Sequence, residues 1–169
     1  RVGLTAPDRG DGLVALSEAT ASYFGTTSYS SVDFEESGFS AWFDSLTRLS
    51  TGGTINLGSR SALATAVSQA GTFNVVGALE AQSETLLRDR RDWDTLYPEP
   101  MSTAEVQLVP RAGSDADALL GRLGAATVRG ALVDQGWRPP SGRTDSAVAI
   151  PRSPGLPSAG VLNALRDLW

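Results

Sequence analysis

Phe73-Asn74-Val75-Val76-Gly77-Ala78-Leu79-Glu80-Ala81-Gln82-Ser83 is the stretch on which the reading of the fold turns. Phe73–Leu79 is a short apolar run, the signature of a buried strand. Glu80 then opens a helix that the spacing predicts to reach Arg91, almost without an intervening loop. A strand that feeds directly into a helix is the repeating unit of α/β proteins. The same order occurs at the start of the chain. Val2–Ala6 is apolar, Pro7-Asp8 closes it, and Asp8-Arg9-Gly10-Asp11-Gly12 leads to Leu13, Val14, Leu16, Ala19 and Tyr23-Phe24 at helical spacing.

Between and beyond these units the chain is mainly helical. Thr26–Ser31 is a hydroxyl-rich linker. Ser37 is placed to cap a helix with Phe39, Trp42, Phe43, Leu46 and Leu49 on its apolar face, ending near Thr51-Gly52-Gly53. Ser59 or Ser61 caps a further helix, Ala62–Ala70, stopped by Gly71. Ala104–Val109 alternates as a strand does and ends at Pro110. Ser114 or Asp115 opens a helix to about Gln135, with Leu119, Leu120, Leu123, Val128, Leu132 and Val133 as its apolar stripe. A proline-rich loop follows over 136–158, and Val161–Trp169 forms a terminal helix. Strands alternating with helices predict a three-layer α/β domain, a mixed sheet flanked by helices, occupying residues 1–169 as one unit. Three strands are few for a sheet in a chain of this length.

Composition restricts the chemistry. The 169 residues contain no histidine, cysteine or lysine, and all 14 positive side chains are arginine. Arginine stays protonated and forms no Schiff base. An imidazole proton shuttle, an imidazole or thiolate metal ligand, a thiol nucleophile, a disulfide and a lysine-dependent phosphate loop are all excluded. The use of arginine alone also fits a GC-rich coding bias. A net charge of −5 disfavours a sequence-independent grip on nucleic acid or anionic lipid. No apolar stretch approaches the ~20 residues of a membrane span. The chain begins at Arg1, immediately ahead of a strand, which reads as a processed or trimmed end.

Three segments are candidate ligand-binding sites. Asp8, Gly10 and Gly12 lie where unpaired helix N–H groups and the helix dipole favour an anion and where glycine permits close approach. The alternative is a plain turn with Asp11 as N-cap. Ser59-Arg60-Ser61 joins two hydroxyls and a guanidinium at a helix start, suited to a carboxylate or oxyanion, or is only a cap beside a solvated arginine. Glu80, Gln82 and Ser83 stand at the carboxyl end of a strand, the edge where open α/β sheets bind ligands. Their alternative is an acidic helix start stabilised by the dipole. Arg88-Asp89-Arg90-Arg91-Asp92 mixes both signs and reads as a solvated helix end. For catalysis only carboxylate pairs remain, Asp8 with Asp11 or Glu35 with Glu36. Nothing around them would raise a pKa as an acid catalyst requires, and Asp8-x-x-Asp11 lacks the oxygen ligands of a Ca²⁺ loop. No catalytic residue, metal site or cofactor is expected.

The order Phe73–Gln82, a helix, Leu96-Tyr97-Pro98-Glu99 and the strand Glu105–Val109 resembles type II extracellular solute-binding proteins. It is most similar to the molybdate-like domains of actinobacterial surface proteins that also carry a von Willebrand A-type domain. Gly136-Trp137-Arg138 resembles the Gly-aromatic-Arg after that family's long helix, Val161–Trp169 its last helix, and Val2–Asp8 the strand by which the chain enters the second lobe. The resemblance implies a periplasmic-binding-protein type II-like lobe, without catalytic activity, that takes a small polar solute in an interlobe cleft. Tyr97 would lie near the hinge and offer its hydroxyl to that cleft, or else pack as an aromatic. The resemblance further implies an extracytoplasmic location, anchored to membrane or cell wall, and a von Willebrand A-type partner domain. Family members carry a first-lobe segment ahead of the Val2–Asp8 strand, so the chain is expected to lack an N-terminal lobe segment. The competing expectation is a surface scaffold or protein-interaction domain that keeps the fold without binding solute. A polar pocket shared by the three segments would favour binding; segments that lie apart, or are filled by side chains, would favour interaction.

Overall fold

A computed structural model describes residues 1–51, 61–103, 111, 116–138 and 155–169. Among them the strands are β1, Val2–Gly3, and β2, Val75–Val76. They pair in parallel, Val2 opposite Val75 and Gly3 opposite Val76. The helices are α1 Gly10–Phe24, α2 Ser37–Thr51, α3 Ala62–Ser68, α4 Glu80–Leu86, α5 Ala116–Leu123, α6 Ala126–Asp134 and α7 Ala159–Leu168, with a 3₁₀ turn at Ser31–Glu35 before α2.

The three-layer α/β expectation is therefore corrected. The described residues form a helical protein with one two-stranded parallel sheet, not a periplasmic-binding-protein type II-like lobe. Phe73–Leu79 is apolar for more than one reason. Phe73 is buried over Gly3, only Val75–Val76 pairs, and Val75 is 61% exposed where a buried strand would hide it. Gly77–Leu79 is extended chain leading into α4. The remaining expected strand, Ala104–Val109, lies outside the described residues.

Helical periodicity carried more of the expected structure. The helices expected after Gly12, at Ser37, at Ala62 and at Val161 are present as α1, α2, α3 and α7, the last capped by Ser158, whose Oγ accepts the Val161 N–H. Helix α4 stops at Leu86 and does not reach Arg91. The long helix expected to Gln135 is two helices, α5 and α6, divided where Ala125 takes an extended conformation as the cap of α6. The linker Thr26–Ser31 runs into an unforeseen 3₁₀ turn, which buries Phe34.

The main core lies between α1, α2, α7 and the 3₁₀ turn. Phe39 is 1% exposed, with ring centroids 4.9 Å from Phe34, 5.3 Å from Phe24 and 5.5 Å from Phe43. Val161 and Leu165 of α7 close this cluster against Leu16 and Ala21 of α1. Buried hydroxyls are satisfied locally. Thr20 Oγ1 donates to the Leu16 carbonyl at 2.9 Å, and the Tyr29 hydroxyl donates to the Ser17 carbonyl at 3.0 Å. A second, smaller cluster of Ala62, Ala66 and Phe73, with Val76 and Trp93 against it, holds α3 to the sheet. Leu49, expected on the α2 core face, is instead exposed.

Phe39→Ala should lower unfolding free energy by about 3–5 kcal/mol, the cost of truncating a large buried aromatic. Leu49→Ala should change it by no more than about 0.5 kcal/mol, as exposed positions do. Urea denaturation of both variants checks the assignment of the core; equal effects would contradict it.

Candidate functional site

Parallel pairing sends both strands toward the same edge, and each continues into a helix there. From β1 the chain passes through Leu4–Asp8 into α1, and Arg9 rather than Asp11 is the N-cap residue, so Asp11 stands in the first helical turn. The Arg9 N–H donates to the Ala6 carbonyl at 3.1 Å, closing the turn. Gly12 is where α1 crosses the chain it has just left. A Cβ there would be driven into the carbonyl oxygens of Thr5 and Ala6. Glycine at 12 is thus explained by close packing of the protein on itself. Gly10 faces open space, and Asp8 is exposed.

From β2 the chain enters α4 in the same way. Gln82 accepts the Leu79 N–H through Oε1 at 3.4 Å and donates from Nε2 to Asp11 Oδ2 at 3.0 Å. One amide side chain thus ties the beginnings of α1 and α4 together. Asp11 Oδ1 takes a second donor, Arg9 Nε, at 3.1 Å. Burial pushes the Asp11 carboxyl up, but the hydrogen bonds from Gln82 and Arg9 and the Arg9 charge outweigh it and hold it below the usual carboxylate value. Ser83 Oγ turns back to the Leu79 carbonyl at 3.4 Å.

Glu80 is the centre of a second polar group. Its Oε1 accepts the Tyr97 hydroxyl at 2.6 Å and Arg138 Nη2 at 2.5 Å, while Oε2 accepts Arg138 Nε at 2.5 Å. The guanidinium meets the carboxylate with two donors, the strongest geometry for such a pair. Both side chains are largely buried. The hydrogen bonds from Arg138 to Glu80 raise the guanidinium pKa further, against burial, which lowers it. Gly136, two residues earlier, has φ +80° and lies against Ala81 and Glu84, so that a side chain there would be both strained and obstructed. That close contact lets Arg138 reach Glu80. Nearby, Thr85 Oγ1 donates to the Gln135 carbonyl at 3.3 Å, and Arg88 donates to the Asp134 carbonyl.

Of the third segment only Ser61 is described, at the start of α3. Ser61 is the N-cap, its Oγ accepting the Ala64 N–H at 3.1 Å, and Thr5 Oγ1 accepts the Ala62 N–H at 3.0 Å. The capping alternative for Ser61 is the one realised; Ser59 and Arg60 lie outside the described residues. Asp8–Gly12 and Glu80–Ser83 are brought together, and Tyr97 joins Glu80 as a hydrogen-bond donor. Arg138 was legible only as part of a resembling tripeptide, not as the partner of Glu80. Its 58-residue separation from Glu80 leaves no local signal.

The arrangement holds its charged groups in internal hydrogen bonds. The carboxylates of Asp11 and Glu80 have both oxygens engaged by internal donors. Among the described residues no group of three or more acidic side chains is placed to hold a metal. No described helix is long and apolar enough to cross a membrane. No family model, curated protein or solved structure matches the chain.

A double-mutant cycle on Glu80→Gln and Arg138→Gln should give a coupling energy of about 0.5–3 kcal/mol, as contacting residues in one network do. Tyr97→Phe should cost about 1.5–3 kcal/mol, the range for a hydrogen bond to a charged group. Denaturation curves measure both, and additive single-variant effects would contradict the network.

Proposed function

We propose that this chain is a non-catalytic interaction domain. The observation that carries the reading is the internal use of the polar edge: Asp11, Gln82, Glu80, Tyr97, Arg138 and Ser61 all bond to other parts of the same chain. A ligand there would have to displace good intramolecular hydrogen bonds, each costly to leave unmade once buried. Side chains that could meet a partner without such displacement lie beside the edge. Leu132 and Val133 of α6 and the following Trp137 are exposed, Trp137 by 40%. Tryptophan is among the side chains enriched at the energetic centres of protein interfaces. The partner is another domain or protein.

A second reading, recognition of a small polar solute, is favoured by one observation. Two of the three expected segments do converge at the carboxyl ends of parallel strands, where α/β proteins place ligands. An amide NMR titration separates the two. With millimolar molybdate, L-glutamate and glucose as probes, the interaction reading predicts unmoved resonances at Gly10, Gly12, Gln82 and Ser83. Saturable shifts confined to those residues would overturn it in favour of solute binding.

A further inference from the structure

Helices α5 and α6 pack against each other, yet neither apolar cluster includes a described residue of either helix. Neither α6 nor α4 has a buried residue. Among the described residues, the hydrogen bonds that join this helix pair to the body are gathered just past the end of α6. Their seat is α4. Ala81, Glu84 and Thr85 recur at the spacing that lines one face of a helix, and Gly136 lies against the first two. Thr85 Oγ1 donates to the Gln135 carbonyl, and Arg88, just beyond α4, donates to the Asp134 carbonyl. The last carbonyls of a helix have no partner within it, so these two side chains cap α6 from outside. Two residues further on, Arg138 engages both oxygens of Glu80.

We propose that residues 116–138 form an arm that opens from the body as a unit, released at the Glu80–Arg138 pair, while the aromatic core stays folded. The argument is one of unequal attachment. The core is held by large buried apolar side chains, Phe39, Leu16 and Leu165 among them. The arm is held at one end by polar contacts, each of modest net strength. Regions with few buried apolar contacts open at a lower free energy than the whole molecule. Once detached, α5 with 8 residues and α6 with 9 are too short to remain helical alone. Opening therefore also unravels the arm and uncovers Glu80 and Tyr97. Leu132, Val133 and Trp137 leave their fixed places with it; the consequence for docking, unlike the opening itself, rests on the interaction reading.

Native-state hydrogen exchange tests the arm without any partner. In the native chain the amides of residues 129–137 should be protected, but less than those of Thr20, Ala21 and Leu165. Their exchange free energy should also fall less steeply with urea, because a local opening exposes less surface than global unfolding. Glu80→Gln and Arg138→Gln should each speed exchange in the arm severalfold and leave α1 and α7 unchanged. Arm amides without protection in the native chain, or with the urea dependence of the core, would overturn the proposal. So would variants that speed the arm and the core alike, that leave the arm unchanged, or that both fail to fold.

Discussion

The parallel pairing of Val2–Gly3 with Val75–Val76 is the constraint from which the polar architecture follows. It closes a long loop of chain through two residue pairs, an entropic cost that the ladder's few hydrogen bonds alone do not repay. What offsets it is the apolar packing behind the sheet. Phe73 lies over Gly3, Leu4 is buried, and Ala62 and Ala66 of α3 cluster with Phe73. Because the strands run the same way, both following helices begin at one edge. Asp11 and Gln82 can meet only for that reason. An antiparallel pairing would put those helix starts at opposite ends.

Stability and polarity are divided between two regions, and α1 belongs to both. Its beginning is tied to the strand edge through Asp11, and its middle is fixed by Leu16 and Ala21 in the aromatic core. The core contains the large apolar side chains, whereas the edge is made of hydrogen bonds and an ion pair whose net contribution is individually modest. Glu18 lies between the two, on the same helix, and its carboxylate accepts the Ser102 N–H. The contrast with Glu80 is instructive. Glu80 meets a guanidinium and a phenol, whereas Glu18 meets an uncharged residue, Ser102.

What was legible in the sequence follows the range of the interactions. Helices α1, α2, α3 and α7 announce themselves through apolar spacing, and α3 also through its capping Ser61, both local features. The sheet was overestimated because an apolar run does not distinguish a paired strand from a residue that packs over a glycine, as Phe73 does, or from extended chain entering a helix. The α5–α6 break at Ala125 was hidden because helical spacing continues on both sides of it. The candidate site was legible in part. Gly12 and Glu80 were identified as special positions, but Gly12 accommodates the protein's own backbone and Glu80 binds the protein's own arginine. The pairings Glu80–Arg138 and Glu18–Ser102 span 58 and 84 residues. Only folding brings them together, and no local pattern encodes them.

The central claim is that parallel pairing places the starts of α1 and α4 side by side. Nuclear Overhauser spectroscopy on the isotope-labelled chain tests it most directly. The account predicts interstrand cross-peaks joining Gly3 to Val76, a protected Gly77 amide bonded to the Gly3 carbonyl at 3.0 Å, and a cross-peak from the Gln82 side-chain amide to the Asp11 β-protons. Gly3 paired in the antiparallel sense, or a Gln82 amide in contact with solvent alone, would contradict it.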